Sequence, residues 1–127
     1  MDKTVERLKY FIVESKAPLY IDKNIFKSYF YDEVSIKLSC NCSDSELYGD
    51  AEKPNWYKSL LNRKDEEITI LEIDADNSTK EEQQRFISLV KDKTIMSYHL
   101  FDATKILIYS SNIDIIDNEL KGLLVVV

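Results

Sequence analysis

The chain has 127 residues, of which 44% are hydrophobic and 31% are charged, a composition typical of one globular domain. Its 17 Lys and Arg against 23 Asp and Glu give a formal charge of −6. The sequence contains no basic run, which argues against direct binding to nucleic acid or to an anionic membrane. No apolar stretch has the length of a membrane span or of a signal-peptide core. We therefore expect a single domain over 1–127 that resides in the cytosol as a monomer or homodimer.

The start of the chain predicts two helices. Apolar residues recur at helical spacing over 3–16, and Pro18 ends that pattern. Asp22 is expected to cap a second short helix, whose apolar residues over 25–30 form one stripe. Such a stripe is typical of a helix face that packs in the core.

A strand, a loop and a helix are predicted next. Apolar and polar residues alternate over 33–42, which predicts a strand with one solvated face. Cys40 and Cys42 fall on its apolar face, and their spacing is not that of a zinc knuckle. We therefore expect two reduced, buried thiols rather than a metal or redox site. The polar residues 43–53 predict a loop, and 55–63 fits a short helix.

The clearest passage of the sequence is a strand followed by a capped helix. Residues 67–75 place apolar groups on both faces, as in a strand at the centre of a sheet. Ser78 and Glu81 have the spacing of a capping box, which predicts a helix over 79–92.

The remaining chain predicts three more strands. Two β-rich runs, 94–101 and 104–110, flank a hairpin expected at 102–103. The apolar residues 123–127 predict a last strand, with Gly122 as a bulge. The order of elements predicts an α+β fold: a mixed sheet of about five strands, helices packed on one face, and an N-terminal helical segment. A three-layer, mixed α/β arrangement is the alternative.

Two acids at the end of the central strand are candidate metal ligands. Asp74 and Asp76 are two residues apart, so both carboxylates point the same way, and hard oxygen ligands suit a divalent ion. Three short segments follow one another along the chain: Ile73-Asp74-Ala75-Asp76, Ser97-Tyr98-His99, and Ile113-Asp114 or Ile116-Asp117. This order resembles that of archaeo-eukaryotic primase-type nucleotidyltransferases, a family whose catalytic core is longer.

The primase resemblance implies that Asp74, Asp76 and the later acid hold metal, while His99 contacts nucleotide phosphates. The alternative is that the two acids begin a turn and favour the N-terminus of the next helix, and that His99 is a half-exposed strand residue. The sequence has no G-x-S-x-G elbow and no glycine-rich phosphate loop.

Acidic and aromatic residues concentrate between the strand at 33–42 and the helix at 55–63. These candidate partner-binding residues are Asp44, Glu46, Tyr48, Asp50, Glu52, Trp56 and Tyr57. Tyrosine and tryptophan supply many interface hot spots, and acids steer a basic partner toward them. The alternative is a solvated loop whose aromatic side chains anchor it to the core.

Small size, acidity and this acidic, aromatic surface make the chain similar in overall character to bacterial immunity proteins of contact-dependent growth inhibition and related toxin systems. The resemblance implies an inhibitor, without cofactor or enzymatic activity, that binds and neutralises a cognate basic toxin domain, frequently a nuclease. The acids would pair with toxin Lys and Arg, and the rings would anchor the complex. The alternatives are a phage-type inhibitor, a metal-dependent enzyme using Asp74, Asp76 and His99, and a structural module that dimerises through 123–127.

Overall fold

A computed structural model describes residues 10–25, 35–63 and 68–127. Its central element is a five-stranded sheet in which neighbouring strands are parallel. In spatial order the strands are β2 (Ser35–Ser39), β3 (Thr69–Asp74), β6 (Thr104–Ser110), β1 (Leu19–Asp22) and β7 (Val125–Val126). A separate antiparallel pair comprises β4 (Thr94–Ile95) and β5 (Tyr98–His99). The predicted α+β class is confirmed. The sequence predicted parallel and antiparallel strands in one mixed sheet; in the structure the large sheet is parallel and the small one is antiparallel.

Helices cover both faces of the large sheet. They are α1 (10–14), α2 (Asp44–Tyr48), α3 (Asn55–Leu61), α4 (Lys80–Gln84), α5 (Ile87–Asp92) and α6 (Asn118–Lys121). Buried residues from α2, α3, α5 and α6 join those of the sheet in the larger core cluster, as predicted for helices on one face. Ile12 of α1 packs instead with Leu19, Ile70 and Leu107 in a smaller cluster. Those strand residues point away from the larger cluster, so the described residues form three layers.

Strand β3 lies where the sequence predicted a central strand. It pairs with β2 on one side and β6 on the other, and five of its six residues are buried. The following helix begins one residue later than predicted, because Thr79 and Glu82 form the capping box. Ser78 instead donates its hydroxyl hydrogen to the Ala75 carbonyl. The predicted helix is also divided into α4 and α5 at 85–86.

The polar segment predicted as a loop contains α2. Ser43 and Glu46 form a capping box there, since each side chain accepts a hydrogen bond from the backbone N–H of the other residue. Gly49 ends the helix with a φ of 83°, a conformation that favours glycine. The predicted loop is therefore restricted to the residues between Gly49 and α3.

Two predictions about local structure are wrong, and one strand was not predicted. Residues 19–22, to which the sequence assigned no element, form β1 inside the sheet. The chain reverses at 96–97, between β4 and β5, rather than at 102–103, which leads into the parallel strand β6. Gly122 is no bulge: it caps α6 with an ordinary helical φ of −63°. The predicted last strand is confirmed as β7, paired with β1.

Two helix predictions lie partly outside the described residues. Of the helix predicted over 3–16, residues 3–9 are not described, and 10–14 form α1. Asp22 does accept a hydrogen bond from the Asn24 backbone N–H, but most of the apolar stripe predicted over 25–30 falls in the part of the chain that is not described.

Candidate functional site

The carboxyl ends of parallel strands meet at one edge of the sheet, where open α/β folds place their ligands. Asp74 ends β3, and Lys23 directly follows β1. The Lys23 ammonium donates to Asp74 Oδ2 at 3.0 Å and to Asp76 Oδ2 at 3.1 Å. Asp76 Oδ1 also accepts from the Ser111 backbone N–H at 2.9 Å and from its hydroxyl at 3.0 Å. The two predicted carboxylates therefore converge, but on an ammonium group of the protein itself.

Electrostatics at this edge reflect that pairing. Hydrogen bonds to Asp74 and Asp76 raise the pKa of Lys23. Burial opposes ionisation of Asp76, but hydrogen bonds from Ser111 and Lys23 outweigh it and lower the pKa of Asp76 below its usual value. Both carboxylates act here as acceptors that tie the end of β3 to the residues following β1 and β6.

The other members of the proposed nucleotidyltransferase set lie apart from this pair. His99 is exposed on β5, and its backbone carbonyl accepts from the Tyr57 hydroxyl. Asp117 caps α6 by accepting from two backbone N–H groups, and Asp114 is exposed on a 3₁₀ turn. Within the ranges 10–25, 35–63 and 68–127, no group of three or more His, Cys, Asp or Glu side chains could hold a metal ion.

A groove of about 590 Å³ lies beside α2, where the sequence placed the partner-binding residues. Its walls come from β2, α2, α3 and the loop between the two helices. Four of the seven candidate residues line it: Glu46, Asp50, Glu52 and Trp56. Lys37, Lys53 and Lys58 line it as well, so the acids project from a surface of mixed charge. We call this feature the α2 groove.

The four candidate acids of this region are exposed, and three have partners. Asp44 accepts from Arg85 at 3.0 Å, and Glu46 belongs to the capping box of α2. Glu52 pairs with Lys58, whose hydrogen bond lowers the pKa of Glu52. Asp50 makes no hydrogen bond or ion pair with any described residue. Three of the predicted acids, Glu46, Asp50 and Glu52, thus share the α2 groove, whereas Asp44 lies beside Arg85 outside it.

The predicted aromatic anchors belong to the core. Trp56 and Tyr57 are only 6% and 7% exposed. The Trp56 indole N–H donates to the Leu47 carbonyl at 2.9 Å, and the Tyr57 ring stacks on Tyr98 with centroids 4.9 Å apart. Tyr48 is half-buried. Both rings pack mainly in the core, because the face of α3 that carries them, with Leu60 one turn later, packs on the sheet. Trp56 also lines the α2 groove, and contact of the rings with a partner stays a prediction.

The two cysteines are free thiols, as predicted. Cys40 is completely buried just after β2, and burial raises its pKa to about 12. Burial also raises the pKa of the half-buried Cys42. A thiol that stays protonated is a poor nucleophile.

Arg85 is a structural residue that the sequence did not identify. Its guanidinium donates to the Cys40 carbonyl at 2.7 Å and to Asp44 at 3.0 Å, and its Nε donates to the Glu82 carbonyl. It thereby connects α2 and the end of β2 to α4. No local pattern could have revealed it, because Asp44 and Cys40 precede it by 41 and 45 residues.

Comparisons with protein-family models, curated proteins and solved structures found no match to this chain. Among the described residues, no helix is both long and apolar enough to cross a membrane.

Proposed function

We propose that this protein is an inhibitor that binds a basic protein partner of the nuclease-toxin type through the α2 groove. The observation that carries the proposal is the exposure of Asp44, Glu46, Asp50 and Glu52 on α2 and its loop, on a chain of net charge −6. Surplus negative charge attracts a basic partner over distance, and a groove provides shape for a specific contact.

The frame beneath the acids supports this role, because a rigid surface loses little entropy on binding. Trp56 joins α3 to α2 through the Leu47 carbonyl, and Leu47 itself is fully buried. Arg85 joins α2 to α4. The buried rings of Trp56 and Tyr57 thus hold α2, α3 and their loop in shape.

The lysines along the groove do not prevent such binding. The pair between Glu52 and Lys58 is exposed, with side chains 78% and 45% accessible, and an exposed pair in water is weak. A partner Arg or Lys can therefore replace Lys58 at Glu52 at little cost. Asp50 is available without any exchange. The proposal assigns no catalytic role to Asp74 and Asp76, because Lys23 pairs with both.

The test is calorimetric titration with basic toxin domains encoded beside the gene for this protein. We expect a one-to-one complex with one of them, inhibition of its activity, and binding about tenfold weaker or more for the double variant Asp50→Asn with Glu52→Gln. A matched control, Asp102→Asn with Glu119→Gln, removes the same charge from exposed sites outside the groove. Equal weakening by both double variants would contradict the assignment of the groove, and failure to bind any such domain would contradict the function.

A further inference from the structure

A second pocket lies at the amino edge of the sheet and shares no lining residue with the α2 groove. It measures about 220 Å³ and is formed by the end of α5, the start of β6 and the segment 15–18. Four lysines line it: Lys16, Lys91, Lys93 and Lys105. Asp92 is the single acid among the described lining residues. A protein of charge −6 therefore has here a cavity whose lining carries a charge of +3.

Two of the four lysines are held in place by backbone carbonyls rather than by carboxylates. Lys93 Nζ donates to the Asp102 carbonyl at 2.9 Å, and Lys105 Nζ donates to the Ser15 carbonyl at 2.9 Å. No side chain in the described ranges forms a salt bridge with any of the four. Since an ammonium has three donors, Lys93 and Lys105 each retain hydrogen-bonding capacity. The Asp102 carboxylate offsets part of the charge of Lys93.

Thr104 points to a ligand independently of the lysines. It is the first residue of β6, is 1% exposed and lines the pocket. Its hydroxyl oxygen has no hydrogen-bond partner among the described residues, and such a buried polar atom is costly. A ligand oxygen in the pocket would supply the missing partner.

Proximity to a helix end explains only part of this arrangement. Lysines near a helix C-terminus stabilise its carbonyl groups, which accounts for Lys91 and Lys93 at the end of α5. Lys16 and Lys105 have the same relation to α1, since Lys16 follows its end and Lys105 donates to the Ser15 carbonyl just beyond it. Capping does not explain why the two helix ends meet at one pocket whose lining carries a charge of +3. Burial lowers the pKa of Lys93, and the charge of Lys105 lowers it further, as expected where like charges converge.

We propose that this pocket binds a phosphate group. A phosphate brings a charge of about −1.5 to −2 and several acceptor oxygens, which suits several ammonium donors and one hydroxyl arriving from different elements. Lysine is a common phosphate ligand in proteins. The volume exceeds that of several water molecules at about 30 Å³ each, so the anion fits with part of its hydration.

Inorganic phosphate is the probe, added at constant pH and ionic strength to the isotopically labelled protein while amide NMR signals are recorded. We expect saturable shifts concentrated at 91–93 and 104–106. Lys91→Glu, at an exposed position, should weaken binding about tenfold. The control Lys121→Glu makes the same change on α6, outside both the pocket and the α2 groove, and should bind as the parent protein does.

Thr104→Val tests the hydroxyl, and Thr69→Val is its matched control. Thr69 pairs in register with Thr104, is equally buried and also lacks a hydroxyl partner among the described residues, but does not line the pocket. Only Thr104→Val should weaken phosphate binding. A parallel titration with phosphoserine distinguishes an organic phosphate from the free ion as the ligand. Tighter binding of phosphoserine than of inorganic phosphate assigns the site to an organic phosphate. Equal or weaker binding assigns it to the free ion. Uniform, non-saturating shifts, or equal effects of pocket and control variants, would overturn the proposal.

Discussion

At the residue scale, Asp76 is the most connected carboxylate of the sheet's carboxyl edge. It accepts three hydrogen bonds, two from Ser111 and one from Lys23, and its side chain is only 15% exposed. Asp76→Asn keeps the size but removes the charge, so we expect the free energy of unfolding to fall by about 1–2 kcal/mol. Urea denaturation near pH 7 measures the change. Asp114→Asn, at an exposed position, is the matched control and should have almost no effect.

The stabilisation from Asp76 should depend on pH. Its pKa in the folded protein lies below the ordinary value of 3.8, so the folded state binds a proton less readily than the unfolded chain does. The contribution is complete above the unfolded pKa and is lost as pH falls through the folded pKa. The difference between parent and Asp76→Asn should therefore shrink in acid; a constant difference down to about pH 2 would contradict this account.

Trp56 provides a direct readout of core packing, because it is the only tryptophan in the chain. With 6% of its surface exposed and its N–H bonded to Leu47, its fluorescence should be blue-shifted and resistant to iodide. Unfolding in urea should remove both properties. Quenching in the native protein as efficient as in the unfolded chain would place the ring on the surface, as the sequence had suggested.

The exposure of a site residue could be predicted only where the neighbouring residues in the sequence determine it. The exposure of Asp44, Glu46, Asp50 and Glu52 follows from their polar segment. Lys23 could not be anticipated, because its partners lie 51 and 53 residues further along the chain and only the parallel sheet brings them together.

At the element scale, Gly49 sets the geometry between α2 and α3. A Cβ added there would overlap the Glu52 carbonyl oxygen and lie 2.9 Å from the Pro54 nitrogen, at a φ of 83°. We expect Gly49→Ala to lower the free energy of unfolding by about 1–3 kcal/mol, and to weaken partner binding by reshaping the α2 groove. Thermal and urea denaturation measure the first effect.

The matched control is Gly122→Ala. Gly122 has a helical φ of −63°, and the Glu119 carbonyl oxygen would lie 3.5 Å from the new Cβ, an ordinary van der Waals distance. This variant should be neutral or stabilised by up to about 1 kcal/mol. Equal destabilisation at both glycines would show that the conformation of Gly49 is not the cause.

Elements with a long periodic pattern were predictable, and short ones were not. Strand β3 was predicted to within a few residues because burial on both faces leaves a continuous apolar run. The start of the helix after it was predicted to within one residue from the spacing of a capping box. Strand β1 has only four residues, the last of them Asp22, and its position depends on pairing with β6 and β7. The sequence of β6 is compatible with a hairpin strand and with a parallel strand, since a local pattern does not specify the direction of the neighbouring strand.

At the scale of the whole molecule, the account depends on where the charge lies. The net charge of −6 belongs to the whole chain. The lining of the α2 groove has three acids and three lysines, and the lining of the pocket at the amino edge carries a charge of +3. If each surface serves its own ligand, phosphate should bind with similar affinity to the free protein and to the complex with its basic partner.

The central claim is that the α2 groove captures a basic partner, and the rate of association tests it most directly. Stopped-flow mixing with the toxin domain identified by titration should give an association rate constant that falls by a factor of about ten or more between about 50 mM and about 500 mM NaCl. Asp50→Asn with Glu52→Gln should reduce both the rate and its salt dependence, whereas Asp102→Asn with Glu119→Gln should change them little. A rate that does not respond to salt, or responds equally in both double variants, would contradict the claim.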